Sequence, residues 1–237
     1  MQMVILAGGR GTRVKAIAGD KPKALLPVAG RPFIDHQLEL LVRNGFAEVL
    51  LCLGYGAAQI ESFVGDGTRW GLRVTYVRED PDRLLGTGGA LVNALPRLAP
   101  AFAMMYGDSY LTADFRAIAG AFEARGSKAL MTVFHNVGRW DKSNARVEAE
   151  RVVFYSKTAA PGEVDCIDYG LLLFRREVIE RYAGRKPPLD LAVIVGECVA
   201  AAEMDAYIVP ERFYEIGKPE GLAELDALLR GTAVNHE

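Results

Sequence analysis

The chain has 237 residues, of which 50% are hydrophobic and 24% are charged, and its formal net charge is −2. This length and composition predict a globular protein with a sizeable core. A net charge so close to zero excludes a global attraction to nucleic acid or to an anionic membrane, so any bound anion must be met by local positive charge.

Strands and helices are predicted to alternate along the first half of the chain. Apolar runs indicate the strands, and apolar residues at helical spacing indicate the helices. The predicted strands are 3–7, 48–53, 72–77, 102–106 and 129–135, and the predicted helices are 32–44, 57–64, 90–98 and 114–125. Asp114 is placed as the N-cap of the last of these helices. Such alternation predicts a largely parallel sheet with helices on both faces.

The second half is less regular. Two short strands, 145–148 and 152–156, predict a hairpin that turns near Ala149 and Glu150. The later predicted elements are strands 166–174 and 206–209 and helices 176–182, 191–203 and 219–229. Because no repeat or low-complexity linker divides the chain, we predict one α/β domain over residues 1–237. Its expected form is a three-layer, Rossmann-like, mixed and mostly parallel sheet, with helices on both faces and the hairpin as a small lobe.

Cysteine usage and hydropathy bear on the cellular location. Cys52, Cys166 and Cys198 are far apart and odd in number, so they form neither a metal-ligand spacing nor a disulfide framework. The N-terminus does not resemble a signal peptide, and no apolar run approaches 18 residues. We therefore expect a soluble cytoplasmic protein that binds neither membrane nor nucleic acid.

A glycine-rich, basic segment follows the first predicted strand. Residues 6–33 read LAGGRGTRVKAIAGDKPKALLPVAGRPF. A glycine-rich turn between a strand and a helix is a common phosphate site, because main-chain N–H groups converge there. The chain has no G-x-x-x-x-G-K-[ST] phosphate loop, and Val14 stands where the dinucleotide fingerprint needs its third glycine. Neither standard interpretation of the segment therefore applies.

A longer pattern extends over most of the chain. LAGGRGTR followed by KPKALLPVAGRPFI resembles the signature of sugar-1-phosphate nucleotidylyltransferases, roughly L-x-G-G-x-G-T-R, then P-K and L-P-V-x-x-x-P. Further matches follow in the same order: LLGTGGAL at 84–91, YGDS at 106–109, Lys157, and YEIGKPEGL at 214–222. The set is most similar to short bacterial enzymes, such as heptose-1-phosphate or mannose-1-phosphate guanylyltransferases and the related uridylyltransferases.

The resemblance implies a reaction in which a sugar-phosphate oxygen attacks the α-phosphorus of a nucleoside triphosphate and pyrophosphate leaves. It implies that Arg13 and Lys23 are the catalytic residues that contact phosphates. It also implies that nucleotide binding involves about residues 1–135 and uses two glycine clusters, the first in residues 8–11 and the second Gly86-Thr87-Gly88-Gly89. The residues so implied are Leu6, Ala7, Gly8, Gly9, Gly11, Thr12, Gly86, Thr87, Gly88 and Gly107.

A metal site is expected at the end of the fourth predicted strand. Asp108 follows the apolar run FAMMY, and carboxylates at the C-terminal ends of parallel strands lie at the crevice where ligands bind. An oxygen ligand there suits Mg2+ that bridges phosphates. The resemblance adds a second ligand, Glu215, which stands where the family usually has an aspartate before I-G-T-P-E. We therefore expect Mg2+ as cofactor, held by Asp108 and Glu215.

The sugar-binding part, about residues 136–231, departs most from the family pattern. Lys157 matches the lysine that contacts the sugar phosphate, but Ser156 replaces its usual glutamate neighbour. In CIDYGLLLF, Asp168 and Tyr169 replace Asn-Ala, and RWDKSN at 139–144 replaces R-Y-G. The resemblance implies Lys157, Asp168 and Gly170 as sugar-phosphate-binding residues, with Asp168 as an acceptor for sugar hydroxyls.

The expected substrates are GTP, with UTP or CTP as alternatives, and a hexose or heptose 1-phosphate; the expected assembly is a monomer or a homodimer. Two other functions stay open. A nucleotide-sugar-dependent glycosyltransferase can share the α/β core, but that class typically carries Asp-x-Asp where this chain has GDSY. A non-catalytic nucleotide-sugar sensing domain would be expected to lose residues such as Arg13 and Asp108, which this chain retains.

Overall fold

The computed structural model describes residues 1–9, 19, 21–136, 139–160 and 162–231. The strands in these ranges are β1 (Gln2–Ala7), β2 (Pro27–Val28), β3 (Arg31–Pro32), β4 (Glu48–Leu53), β5 (Arg73–Arg78), β6 (Ala101–Tyr106), β7 (Ser109–Leu111), β8 (Ala129–His135), β9 (Ala145–Glu148), β10 (Arg151–Tyr155), β11 (Cys166–Arg175), β12 (Met204–Val209) and β13 (Phe213–Glu215). The α-helices are α1 (Phe33–Arg43), α2 (Ala57–Val64), α3 (Thr87–Ala94), α4 (Phe115–Arg125), α5 (Arg176–Glu180), α6 (Leu191–Ala200) and α7 (Pro219–Leu229).

A mixed central sheet, as the sequence predicted, has the strand order β5-β4-β1-β6-β11-β8-β12-β10-β9. Strands β5, β4, β1 and β6 pair in parallel. Parallel strands need long crossover connections, and the helix-containing segments between these strands provide them. Strand β11 runs antiparallel to both β6 and β8, whereas β12 is parallel to β8. The parallel pairings therefore dominate the N-terminal half, where the glycine-rich segments lie.

Two apolar cores lie on opposite faces of the sheet, which confirms the three-layer arrangement. Successive residues of β1 point to opposite faces, so Met3 and Ile5 join one core while Val4 and Leu6 join the other. Helices α1, α2, α4 and α7 contribute buried residues to the first core, and α3, α5 and α6 contribute to the second. No helix in the described ranges is long and apolar enough to cross a bilayer.

The predicted hairpin is present, with Ala149 and Glu150 at its turn and φ angles of 47° and 60°. It continues the main sheet rather than standing apart, because β10 pairs with β12 and β9 pairs with β11. Helix α3 begins at Thr87, three residues before the predicted start, because the second glycine cluster forms its first turn. The sequence analysis also missed β7 and β13, since three-residue strands are too short to show a period.

Candidate functional site

A cleft of about 320 Å3 opens where β1 and β6 end. Its walls bring together predicted residues from four separate segments of the chain: Leu6, Ala7, Gly8, Gly9, Lys23, Gly86, Thr87, Gly107 and Asp108. Parallel strands present their C-terminal ends at one edge of a sheet, which explains why motifs so distant in sequence meet here. The predicted residues Gly11, Thr12 and Arg13 lie outside the described residues.

The second glycine cluster is supported by the segment that precedes α6. The N–H groups of Gly88 and Gly89 donate to the carbonyl of Leu189 at 2.9 and 3.0 Å. The N–H groups of Gly88 and Gly89 are thus already hydrogen-bonded within the protein, whereas Gly86 and Thr87 line the cleft. Within this cluster, the contribution to the cleft comes from its first two residues.

Glu79 also lines the cleft, and the sequence analysis did not select it. Its Oε2 accepts a hydrogen bond of 2.7 Å from the N–H of Leu85. Burial raises the pKa of the Glu79 carboxyl above its ordinary value. A carboxylate two residues after the predicted strand 72–77 was the signal that could have identified it, because that position falls at the ligand-binding edge of the sheet.

The two predicted metal carboxylates lie side by side. Strands β7 and β13 pair antiparallel with Ser109 opposite Glu215, and the N–H of Ile216 donates to the carbonyl of Asp108 at 2.9 Å. A Cβ placed on Gly217 would lie 3.7 Å from Asp108 Oδ2 and 3.7 Å from both carboxylate oxygens of Glu215. The two side chains therefore converge on one space, and the extra methylene of Glu215 does not carry its carboxylate away from it.

This donor set fits a hard divalent cation. No group of three or more histidine, cysteine, aspartate or glutamate side chains forms a metal cage among the described residues. Mg2+ is commonly held by only one or two carboxylates and completes its shell with waters and substrate phosphates. Lys23 Nζ lies 2.7 Å from Asp108 Oδ2, so a cationic group already neutralises part of this charge.

Asp168, which was predicted to contact the sugar, is held by two hydrogen bonds. Its Oδ1 accepts from the N–H of Gly170 at 2.9 Å, and its own N–H donates to Asn144 Oδ1 at 2.8 Å. Burial first, and the charge of Asp168 second, raise the pKa values of Tyr106 and Tyr155. Because Tyr106 lines the cleft, Asp168 lies near the cleft wall.

Lys157 reaches across to a carboxylate that the sequence analysis did not select. Its Nζ lies 2.8 Å from both carboxylate oxygens of Asp190, the N-cap of α6. Asp190 Oδ1 also accepts a hydrogen bond of 3.3 Å from Thr87 Oγ1. The predicted sugar-phosphate lysine is thereby joined to the cleft. An aspartate directly before the predicted helix 191–203 could only have suggested an N-cap, and an N-cap does not indicate a side-chain partner.

Comparison with known proteins identifies the family. The family model described as nucleotidyl transferase matches residues 2–229. The chain belongs to the nucleotidyl transferase family. Among relatives, a mannose-1-phosphate guanylyltransferase of Mycobacterium tuberculosis is 32% identical over 97% of this chain, and a D-glycero-alpha-D-manno-heptose 1-phosphate guanylyltransferase of Campylobacter jejuni is 27% identical over 93% of it.

The chain covers 96% of the Campylobacter relative but only 65% of the mycobacterial one, which is less than two thirds of that relative's length. Among solved structures, HddC from Yersinia pseudotuberculosis superposes with a TM-score of 0.79 and 25% identity, covering 96% of this chain and 99% of that one. HddC has also been solved in complex with GMP-PN. The family resemblance inferred from the motifs is confirmed.

We expect Gly86→Ala to destabilise this nucleotidyl transferase strongly. Gly86 has φ 80° and ψ 165°, and an added Cβ would lie 2.5 Å from the carbonyl oxygen of Leu189. The matched control is Gly65→Ala, which has φ 60° and ψ −140° but no atom within 4 Å of its added Cβ. Thermal unfolding should show a loss about 1–3 kcal/mol larger for Gly86→Ala than for the control. Equal losses would mean that the contact with Leu189 yields easily.

Asp168 makes stability depend on pH. Burial raises its pKa from 3.8 to about 6, so the folded state holds this proton more tightly than the unfolded state. The carboxyl therefore stabilises the fold at low pH, and this contribution is lost as pH rises through the two pKa values. The melting temperature of wild type minus that of Asp168→Asn should fall as the pH rises from 3.8 to about 6. A difference that stays flat or grows would contradict the burial of an ionisable carboxyl here.

Proposed function

We propose that this protein transfers a nucleotidyl group from a nucleoside triphosphate to a sugar 1-phosphate, giving a nucleotide-sugar and pyrophosphate. The observation that carries the proposal is the meeting of Lys23, Asp108 and Glu215 at the edge of a cleft lined by both glycine clusters. Two polyanions must be brought together in this reaction, and such a cleft supplies local positive charge and main-chain donors. The guanylyltransferase names of two relatives point to the same reaction class.

The proposed chemistry is a direct in-line attack without a covalent enzyme intermediate. Cys52 is the thiol that lines the cleft, but burial raises its pKa to about 12, so it stays protonated and non-nucleophilic at neutral pH. Lys23, with only 17% of its side chain exposed, is held within reach of triphosphate oxygens. Arg13 is assigned to the same phosphates by its motif. These residues bind and orient the reactants.

Asp108 and Glu215 would hold Mg2+ in this proposal. When bound, the ion would neutralise the charge that develops on the phosphates. The pairing of β7 with β13 fixes the two carboxylates relative to each other before any ligand arrives, so little reorganisation is needed.

The proposed substrates are GTP, ahead of UTP or CTP, and a hexose or heptose 1-phosphate. The guanylyl relatives support the base, and Lys157 with Asp168 supports a phosphorylated, hydroxyl-rich acceptor. Asp168 offers a partly buried carboxylate oxygen, which would penalise a sugar that lacks the matching hydroxyl. We also propose a single catalytic domain that works in the cytoplasm as a monomer or homodimer.

Pyrophosphate release tests the function directly. The protein is incubated with Mg2+, each of the common nucleoside triphosphates and a panel of hexose and heptose 1-phosphates, and the products are identified by mass spectrometry. We expect pyrophosphate and one nucleotide-sugar in equal amounts. Sugar transfer from a supplied nucleotide-sugar would indicate a glycosyltransferase, and tight binding without turnover would indicate a sensing domain; either result would overturn the proposal.

A further inference from the structure

Asp190 connects the two halves of the site through a single carboxylate. Both of its oxygens lie 2.8 Å from Lys157 Nζ, and Oδ1 also accepts from Thr87 Oγ1 at 3.3 Å. The same oxygen accepts from the N–H of Ala192 at 2.9 Å and so caps α6. Lys157, from the predicted sugar-binding part, and Thr87, from the loop 85–89 at the cleft, are therefore hydrogen-bonded to the same carboxylate, which acts as their common anchor.

The anchor itself is held firmly. The carbonyl of Leu189 accepts from Gly88 and Gly89, and the N–H of Leu189 donates to the carbonyl of Leu85 at 2.8 Å. On the other side of Asp190, the N–H of Leu191 donates to Thr87 Oγ1 at 2.9 Å. Leu189 and Leu191 are buried in the second core. The segment 189–191 and the loop 85–89 therefore form one hydrogen-bonded unit, and Asp190 cannot shift without disturbing it.

Lys157 lies in the turn that follows β10, without such main-chain support from the cleft. The side chains of Lys157 and Asp190 are each about half exposed, so the order of their contact comes from the firmly held main chain of Asp190. A lysine side chain has four rotatable carbons and loses considerable entropy when a ligand immobilises it. The two oxygens of Asp190 can engage two of the three ammonium donors, which leaves one for a phosphate oxygen. Asp190 therefore restricts the Lys157 side chain before the phosphate binds, so that less side-chain entropy is lost on binding.

Asp190 is ionised under ordinary conditions. Burial acts to raise its pKa, but the hydrogen bonds from Lys157 and from the N–H of Ala192 outweigh it and hold the pKa below its ordinary value. The contact with Lys157 is therefore a charge-assisted one at neutral pH.

We propose that Asp190 is a positioning residue that holds Lys157 toward the sugar phosphate. Through Thr87, Asp190 also connects this lysine to the loop 85–89 at the cleft. The inference rests on the proposed function, because it takes the phosphate of the sugar as the ligand of Lys157. It adds a residue to which no motif pointed, and it predicts that loss of Asp190 affects capture of the sugar 1-phosphate rather than the transfer step.

The test is Asp190→Asn. Asparagine caps a helix about as well as aspartate, so α6 should keep its cap while the charge that holds Lys157 is lost. We expect KM for the sugar 1-phosphate to rise about 3- to 10-fold, with kcat and KM for the triphosphate within about twofold of wild type. The matched control is Asp114→Asn, which removes the same charge from the N-cap of α4, outside the cleft, and should leave all three constants unchanged.

Two further measurements make the result decisive. If Asp190 acts through Lys157, the double variant Asp190→Asn with Lys157→Met should be no worse than Lys157→Met alone. Without any substrate, an amine-acylating reagent followed by mass spectrometry should modify Lys157 faster in Asp190→Asn than in wild type, with exposed Lys21 as the internal reference.

The outcomes separate this inference from the proposed function. An active wild type with an unchanged or lowered sugar-phosphate KM in Asp190→Asn would overturn the positioning role; a lowered KM would show that Asp190 competes with the phosphate. Equal acylation of Lys157 in both proteins would also overturn it. If the wild type forms no pyrophosphate from any substrate pair, the proposed function fails and this inference fails with it.

Discussion

Asp108→Asn is expected to lower Mg2+-dependent turnover by about 100- to 1,000-fold. The amide keeps the shape of the side chain but removes the negative charge that would hold the cation, and Glu215 alone would then face the metal position. The same change leaves Lys23 without its ionic partner at 2.7 Å. Initial rates over a range of Mg2+ concentrations measure the loss, which excess metal should restore only in part.

The fold should survive this substitution. Asp108 and Lys23 are both partly exposed, so losing their ion pair should cost within about 1 kcal/mol of unfolding free energy. Asp66→Asn is the matched control, because Asp66 accepts a hydrogen bond from the N–H of Thr68 at 3.0 Å in an exposed turn. Undiminished turnover in Asp108→Asn, with the control also active, would show that Asp108 is a turn residue and not a metal ligand.

Lys23→Met is expected to reduce kcat/KM for the triphosphate about 100-fold or more. Methionine keeps most of the apolar stem, which is largely buried, but it cannot donate to phosphate oxygens or neutralise their charge. The ammonium already lies 2.7 Å from Asp108 Oδ2, beside the position proposed for the metal and its phosphates. Steady-state kinetics with varied triphosphate gives the measurement.

Lys21→Met serves as the control for this change. Lys21 lies two residues earlier in the same segment, and its side chain is exposed. The Lys21→Met variant should retain nearly full activity if triphosphate use depends on the position of Lys23 and not on the net charge of the segment. Equal losses in the two variants would instead indicate that this segment acts through its overall charge, and the specific role of Lys23 would then be wrong.

Much of the cleft was predictable because its parts belong to local patterns. A glycine-rich turn after a strand and an aspartate at a strand end each indicate a role by themselves, and the family resemblance implied the role of Lys23. In the structure, Gly8, Gly9, Lys23 and Asp108 line one cleft. Their exact roles toward nucleotide, metal and sugar stay predictions that the substitutions above can test.

The sequence by itself determined the alternation of strands and helices, the α/β class and the ordered motifs of the family, since these depend on residues close together in the chain. Only the tertiary structure decided which side chains meet across the cleft. Lys23 pairs with Asp108 across 85 residues, and Lys157 pairs with Asp190 across 33. The approach of Glu215 to Asp108 depends on two three-residue strands that carry no visible period. Such contacts depend on the order in which the strands pair in the sheet. Local residue spacing does not determine that order.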